Sequence, residues 1–152
     1  MNSPSPPAAS PPVLGVGGVV VNRADGTVLL IRRGKPPRKG QWSLPGGRVE
    51  RGENIDSALR RELLEETGLS VRPGPLVAVV ELIDDAYHYV VLEYLCEVLG
   101  GELCAGDDAA EVAFAKIDAL ADFGVTDAVR EVVARALAMR GEAALGAGID
   151  AP

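Results

Sequence analysis

The segment from Gly47 to Leu69, GRVERGENIDSALRRELLEETGL, constrains this chain more than any other. Ile55, Ala58, Leu59 and Leu63 recur at helical spacing, Asn54 can cap the start, and Gly68 supplies a left-handed residue just past the end. A helix is therefore predicted over about Ile55 to Thr67, with one apolar face that needs a sheet or another helix to cover it. Glu62, Glu65 and Glu66 are related by i, i+3 and i+4, so their carboxylates are expected on the face opposite that stripe. Each exposed like-charge pair costs only a few tenths of a kcal/mol (about 0.2–0.5), so a solvated acidic face would explain them at little cost. The lead-in Pro45-Gly46-Gly47 argues for more, because side-chain-free backbone can approach the helix closely and oxygen-only ligands suit Mg2+ or Mn2+.

The rest of the chain supplies the cover. Two β-branched segments, Gly15 to Val21 and Thr27 to Arg33, flank NRADG, whose Asp-Gly ending is a turn signal, and they read as a hairpin. The stretch GKPPRKGQWSLPGG reads as a loop, and strands are expected over Leu76 to Ile83, Tyr87 to Leu99 and about Val112 to Ile117. Thr126 caps a last helix in which Val129, Val132, Val133 and Leu137 share a face, before a Gly- and Ala-rich tail from Gly141. Met1 to Pro12, nearly all Ser, Pro and Ala, cannot bury enough apolar surface to offset its ordering entropy and reads as a disordered leader. One domain over residues 13–140 is the expected organisation, with a flexible tail over 141–152.

The Gly47 to Leu69 run matches every specified position of a known signature: Gly47, Glu53, Arg61-Glu62, Leu63, Glu65-Glu66, Gly68 and Leu69. It resembles the Nudix family, and the preceding GQWSLPGG, Gly40 to Gly47, is similar to that family as well. The resemblance implies an α/β Nudix fold, a mixed curved β-sheet sandwiched between α-helices. It also implies that Glu62, Glu65 and Glu66 bind Mg2+ or Mn2+, with the Gly47 carbonyl as a further ligand, and that Arg61 and Glu53 orient those carboxylates. A guanidinium forking onto carboxylates fixes their rotamers, which agrees. Family members draw the base that activates water from the helix or from a downstream loop, so Glu65, Asp107, Asp108 and Glu111 are candidates.

The activity implied is cleavage of a phosphoanhydride in a nucleoside diphosphate derivative. Tyr87 to Phe114 is most similar to the ADP-ribose pyrophosphatase branch, which would give AMP and ribose 5-phosphate. A MutT-like triphosphate pyrophosphohydrolase, a dinucleoside polyphosphate hydrolase (Tyr87 standing near that branch's tyrosine) and an inert Nudix-fold binding module are the alternatives.

The charge of -7 leaves no electrostatic footprint for nucleic acid or an anionic membrane. Seven of the 15 basic residues nevertheless fall between Arg32 and Arg51 (Arg32, Arg33, Lys35, Arg38, Lys39, Arg48, Arg51). Arg32, Arg48 and Arg51, with Asp108, are therefore the candidate contacts to a small anionic nucleotide. Trp42, Tyr87, Tyr89, Tyr94, Phe114 and Phe123 are the candidate stacking surfaces, each also at home in a core. His88 has no partner at ligand spacing and is given no role. Cys96 and Cys104 read as free thiols, a basic leader with an apolar run is lacking, and a cytoplasmic location is the default. A homodimer is compatible with the resemblance, since dimers are common in the family.

Overall fold

In the computed structural model, residues 10–36 and 38–149 are described, with 142–149 by their backbone. Most of the expected leader lies outside the described residues. Seven strands and two helices follow in the order β1 (Val13–Val20), β2 (Val28–Arg33), β3 (Trp42–Ser43), β4 (Gly46–Arg48), α1 (Ile55–Thr67), β5 (Leu69–Ile83), β6 (His88–Gly101), β7 (Ala109–Ala115) and α2 (Asp127–Ile149).

The strands form a four-stranded sheet, β4-β1-β6-β5, and a three-stranded sheet, β3-β2-β7. The larger sheet is mixed: β1 runs parallel to β6 and antiparallel to β4, and β5 is antiparallel to β6. Alternation along the strands divides the apolar residues into two cores. Val16 and Val20 of β1, Leu29 of β2 and Cys96 of β6 pack with Ala58, Leu59 and Leu63 of α1. Val19, Val28, Leu30 and Ala115 point the other way, onto Val132, Val133 and Ala136 of α2. The expected mixed sheet between helices is thus the observed architecture.

Helix α1 keeps its expected ends. Asn54 Oδ1 accepts from the Ser57 amide at 2.8 Å, and Gly68, at φ 74°, donates its amide to the Leu64 carbonyl. Leu59 and Leu63 are fully buried, and at roughly 1.5–3 kcal/mol each their burial outweighs the repulsion among the glutamates.

Three expectations are corrected. The first two strands do not form a hairpin: only the Val21–Val28 bridge joins them, because both edges of β1 are already taken by β4 and β6, and β2 turns away to pair with β3 and β7. Strand β5 begins at Leu69 rather than Leu76, and the Pro73-Gly74-Pro75 stretch is absorbed as a register shift. An edge strand tolerates this, since its outer amides need no sheet partner. Helix α2 continues past Gly141, where a Gly- and Ala-rich tail was expected, to Ile149, with Ala143, Ala144 and Ala147 as the strong helix formers of that stretch. Among the described residues no helix is long and apolar enough to cross a membrane.

Candidate active site

Arg61 organises the polar edge of α1. Its guanidinium forks onto Glu53, with Nε to Oε2 at 2.7 Å and Nη2 to Oε1 at 2.8 Å. The remaining donors reach Glu62 Oε1 at 2.9 Å, Glu65 Oε2 at 3.3 Å and the Arg48 carbonyl at 3.1 Å. The Glu50 amide also donates to Glu53. These hydrogen bonds, those from Arg61 first, hold the Glu53 carboxyl down at about 2, while Glu53 and Glu62 raise Arg61 still further from titration.

Glu66 is held differently. It is 3% exposed, not on an open polar face, and its Oε1 accepts from the Gly46 amide at 3.2 Å. Burial, and then the charge of Glu62, push its carboxyl up to about 8. Burial also raises Glu62, against the pull of Arg61. The three carboxylates therefore fan from exposed (Glu65) to buried (Glu66), a correction to the single solvated face that i, i+3, i+4 spacing suggests. The cause is the close approach of the glycine turn, which covers the helix at Glu62 and Glu66. A Cβ on Gly47 would lie 2.3 Å from the Glu62 carboxyl carbon, and one on Gly46 would lie 2.1 Å from the Val16 carbonyl oxygen, so neither glycine has room for a side chain.

The loop after β6 closes the other end of this edge. The Cys104 amide donates to the Thr67 carbonyl at 2.9 Å and that of Gly106 to the Glu66 carbonyl at 3.2 Å, which satisfies helix carbonyls that would otherwise lack donors. Asp107, at φ 51°, adopts a left-handed conformation that Asp tolerates, and its charge raises Glu62 as that of Asp108 raises Glu66. Arg33 was not singled out in the sequence, yet its charge opposes the upward shift of Glu66. Its signal was its place in the basic segment.

The side chains of the other candidates lie apart from the Arg61 network, which Arg48 joins only through its carbonyl. Glu111 pairs with Arg32, its cross-strand neighbour, and Asp108 pairs with Lys35 at 2.8 Å. Arg51 is exposed in the turn before α1. Arg48 donates to the Tyr89 hydroxyl at 3.0 Å and stands 5.8 Å from that ring's centre, while Arg38 donates to the Tyr87 hydroxyl and lies 5.3 Å from its ring. The two tyrosine rings are 5.4 Å apart. Trp42 packs edge-on to Phe123, and Tyr94 and Phe114 pack against the α1 core, so these aromatics are structural. Cys96 is buried, with its thiol pushed up to about 12, and is inert; Cys104 is exposed.

Among the described residues no three acidic, His or Cys side chains are gathered closely enough to enclose a metal ion. The donor set nonetheless fits a hard divalent cation. Glu62 and Glu66 are both desolvated, the charge of Glu62 opposes ionisation of Glu66, and the Gly47 backbone lies against Glu62.

The NUDIX domain pattern matches residues 11–136. The chain belongs to the Nudix family. An ADP-ribose pyrophosphatase of Methanocaldococcus jannaschii is 41% identical over 105 residues, covering 68% of this chain and 61% of that protein. The human 8-oxo-dGDP phosphatase NUDT18 is 40% identical over 82 residues, covering 54% of this chain and 24% of that protein. The chain thus spans less than two thirds of the length of these two Nudix relatives. A MutT Nudix hydrolase of Burkholderia pseudomallei superposes with a TM-score of 0.74 at 32% identity, covering 83% of this chain and 98% of that one.

Proposed function

We propose that this Nudix domain hydrolyses the phosphoanhydride of a nucleoside diphosphate joined to a second group, with ADP-ribose as the leading substrate and AMP and ribose 5-phosphate as products. The observation that carries the chemistry is the pairing of Arg61-held carboxylates with a glycine turn too close-packed for side chains. Glu62, Glu65, Glu66 and the Gly47 carbonyl would hold Mg2+ or Mn2+, which supplies positive charge for the diphosphate oxygens and acidifies a water. Arg61 fixes the Glu62 and Glu65 rotamers, and Glu53 fixes Arg61 in turn. Glu65 is the strongest candidate to take the proton from the attacking water. It is the most exposed of the three helix glutamates and Arg61 holds it beside Glu62, whereas Glu111 and Asp108 pair with Arg32 and Lys35, apart from Arg61. Water adds to phosphorus, the bridging P–O bond breaks, and the leaving phosphate monoester takes the electron pair.

The substrate reading rests on the Arg48–Tyr89 and Arg38–Tyr87 pairs, which offer cations for a diphosphate beside aromatic faces for a base, and on the archaeal relative named for ADP-ribose. Hydrolysis of oxidised guanine nucleotides is the second reading, favoured by the 40% identity to the human 8-oxo-dGDP phosphatase. Side-by-side kcat/KM values for ADP-ribose, dinucleoside polyphosphates, 8-oxo-dGDP and triphosphates, with Mg2+ and with Mn2+, decide between them. A higher value for any triphosphate or for 8-oxo-dGDP would overturn the ADP-ribose assignment.

A further inference from the structure

Among the described residues, two buried side-chain atoms have no hydrogen-bond partner: Glu93 Oε2 and Arg32 Nε. Strand register fixes the side to which each points. Glu93 stands on β6 between Gly17 of β1 and Ala78 of β5, in step with Val19 and Leu95, which pack into the α2-side core. Arg32 stands on β2 beside Trp42 and Glu111, in step with Val28 and Leu30 of that same core, and Trp42 packs against it too. An orphan acceptor and an orphan donor thus share one side of two adjoining sheets, away from α1.

On the β1 side Glu93 faces a glycine. A Cβ on Gly17 would lie 2.2 Å from Glu93 Oε2, so the carboxyl lies against a bare stretch of backbone. The next residue across the sheet is Gly46, whose amide holds Glu66. Glu93 is therefore two strand spacings, about 10 Å, from the turn at the acidic edge. In the adjoining row Gly15 carries no side chain between Arg48 and Val91, and across it Arg48 reaches Tyr89 on this same face. This face thus carries a guanidinium beside a phenol and an unpartnered carboxyl, and the Gly46 backbone joins it to the acidic edge.

A Val or Leu at position 93 would fill this site without burying an unpartnered polar atom, and such an atom is unfavourable whether the acid is neutral or charged. Burial alone pushes Glu93 up to about 7, with no charged neighbour contributing, so near neutrality it can both donate and accept.

We propose that Glu93 reads an exocyclic amine on the base of the nucleotide substrate. This rests on the nucleotide reading above, though not on which nucleotide is preferred. The test uses matched substrates that differ only in that amine, adenine against unsubstituted purine and guanine against hypoxanthine, in whichever nucleotide class the protein hydrolyses best. Kinetics and melting temperature are measured for the wild type, Glu93→Leu and the near-isosteric Glu93→Gln. Wild type is expected to favour the amine-bearing member by about tenfold or more, the scale of one buried hydrogen bond to a charged or polarised group. In Glu93→Leu the preference collapses toward parity through a rise in KM, with no loss of melting temperature, and in Glu93→Gln it changes without loss of fold. Equal kcat/KM for matched pairs in the wild type would overturn the proposal, as would an undiminished preference in Glu93→Leu. So would a fall in melting temperature in both variants with proportionate loss on both substrates, which marks a structural residue. Collapse of the preference on a substrate other than ADP-ribose would sink the ADP-ribose assignment and leave Glu93 its role.

Discussion

The acidic edge of α1 and the α2-side face of the larger sheet both carry buried carboxyls, and they treat them in opposite ways. Along the edge every acid has a donor: Glu53 has Arg61 twice over, Glu62 shares Arg61, and Glu66 has the Gly46 amide. On the sheet face, Glu93 Oε2 has none. The first arrangement holds charge in place, in keeping with a site built for a cation and a diphosphate. The second leaves hydrogen-bonding capacity unspent, which suits recognition of a neutral ring edge.

The largest expected effect that tests the edge is on metal dependence. Exhaustive chelation should abolish hydrolysis and added Mg2+ or Mn2+ should restore it, because in a chain of charge -7 the carboxylates alone would repel a diphosphate. Undiminished turnover after chelation would remove the catalytic role of the edge. Next come Glu65→Gln and Glu66→Gln, each expected to lower kcat by about 100-fold or more while the fold persists. A variant that melts far earlier yet turns over normally would show that these acids are structural. Arg61→Lys keeps the charge and loses the fork, so a loss of about 10- to 100-fold in kcat is expected where a point charge would have sufficed for near-normal rates.

The pH dependence of stability sharpens the contrast further. Glu53 lies below its ordinary value, so its pairing stabilises the fold above about pH 4.5 and that contribution is lost as pH falls toward 2. Glu93 lies above its ordinary value, so it costs stability progressively as pH rises from about 4.5 to 7, and the full cost is present above that. Glu53→Gln should therefore melt lower than wild type at pH 6 and converge with it near pH 2. Glu93→Gln should match wild type near pH 4 and melt higher at pH 8. Melting curves that shift in parallel at all pH values would deny the two acids their opposite environments. The smallest effect belongs to Arg48→Gln, expected to raise KM a few-fold with little change in kcat, because its contact to the substrate is the same in ground and transition states.

The edge was readable from sequence because it is local. The helix ends, Arg61 and the glutamates lie within one stretch, and helical spacing alone places them relative to one another. Spacing could not show that Glu66 is buried, since the glycine turn that covers it sits twenty residues upstream. The misread hairpin has the same origin: whether β1 pairs with β2 depends on β6, which arrives much later in the chain. Glu93 was passed over for the converse reason. Glu93, one of two glutamates in YVVLEYLCEV, reads as a solvent-facing strand position, and only the register against Gly17 shows that it lies over a glycine.

The parallel pairing of β1 with β6 also decides when during synthesis this domain can exist. Val13 to Val20 find their parallel partners only at Tyr89 to Cys96, so a nascent chain that has emerged only as far as the Pro73-Gly74-Pro75 stretch carries the whole of α1 and an apolar β1 with one edge unsatisfied. Folding during synthesis therefore waits on β6, and a fragment cut anywhere between α1 and β6 should aggregate rather than persist as a half-domain.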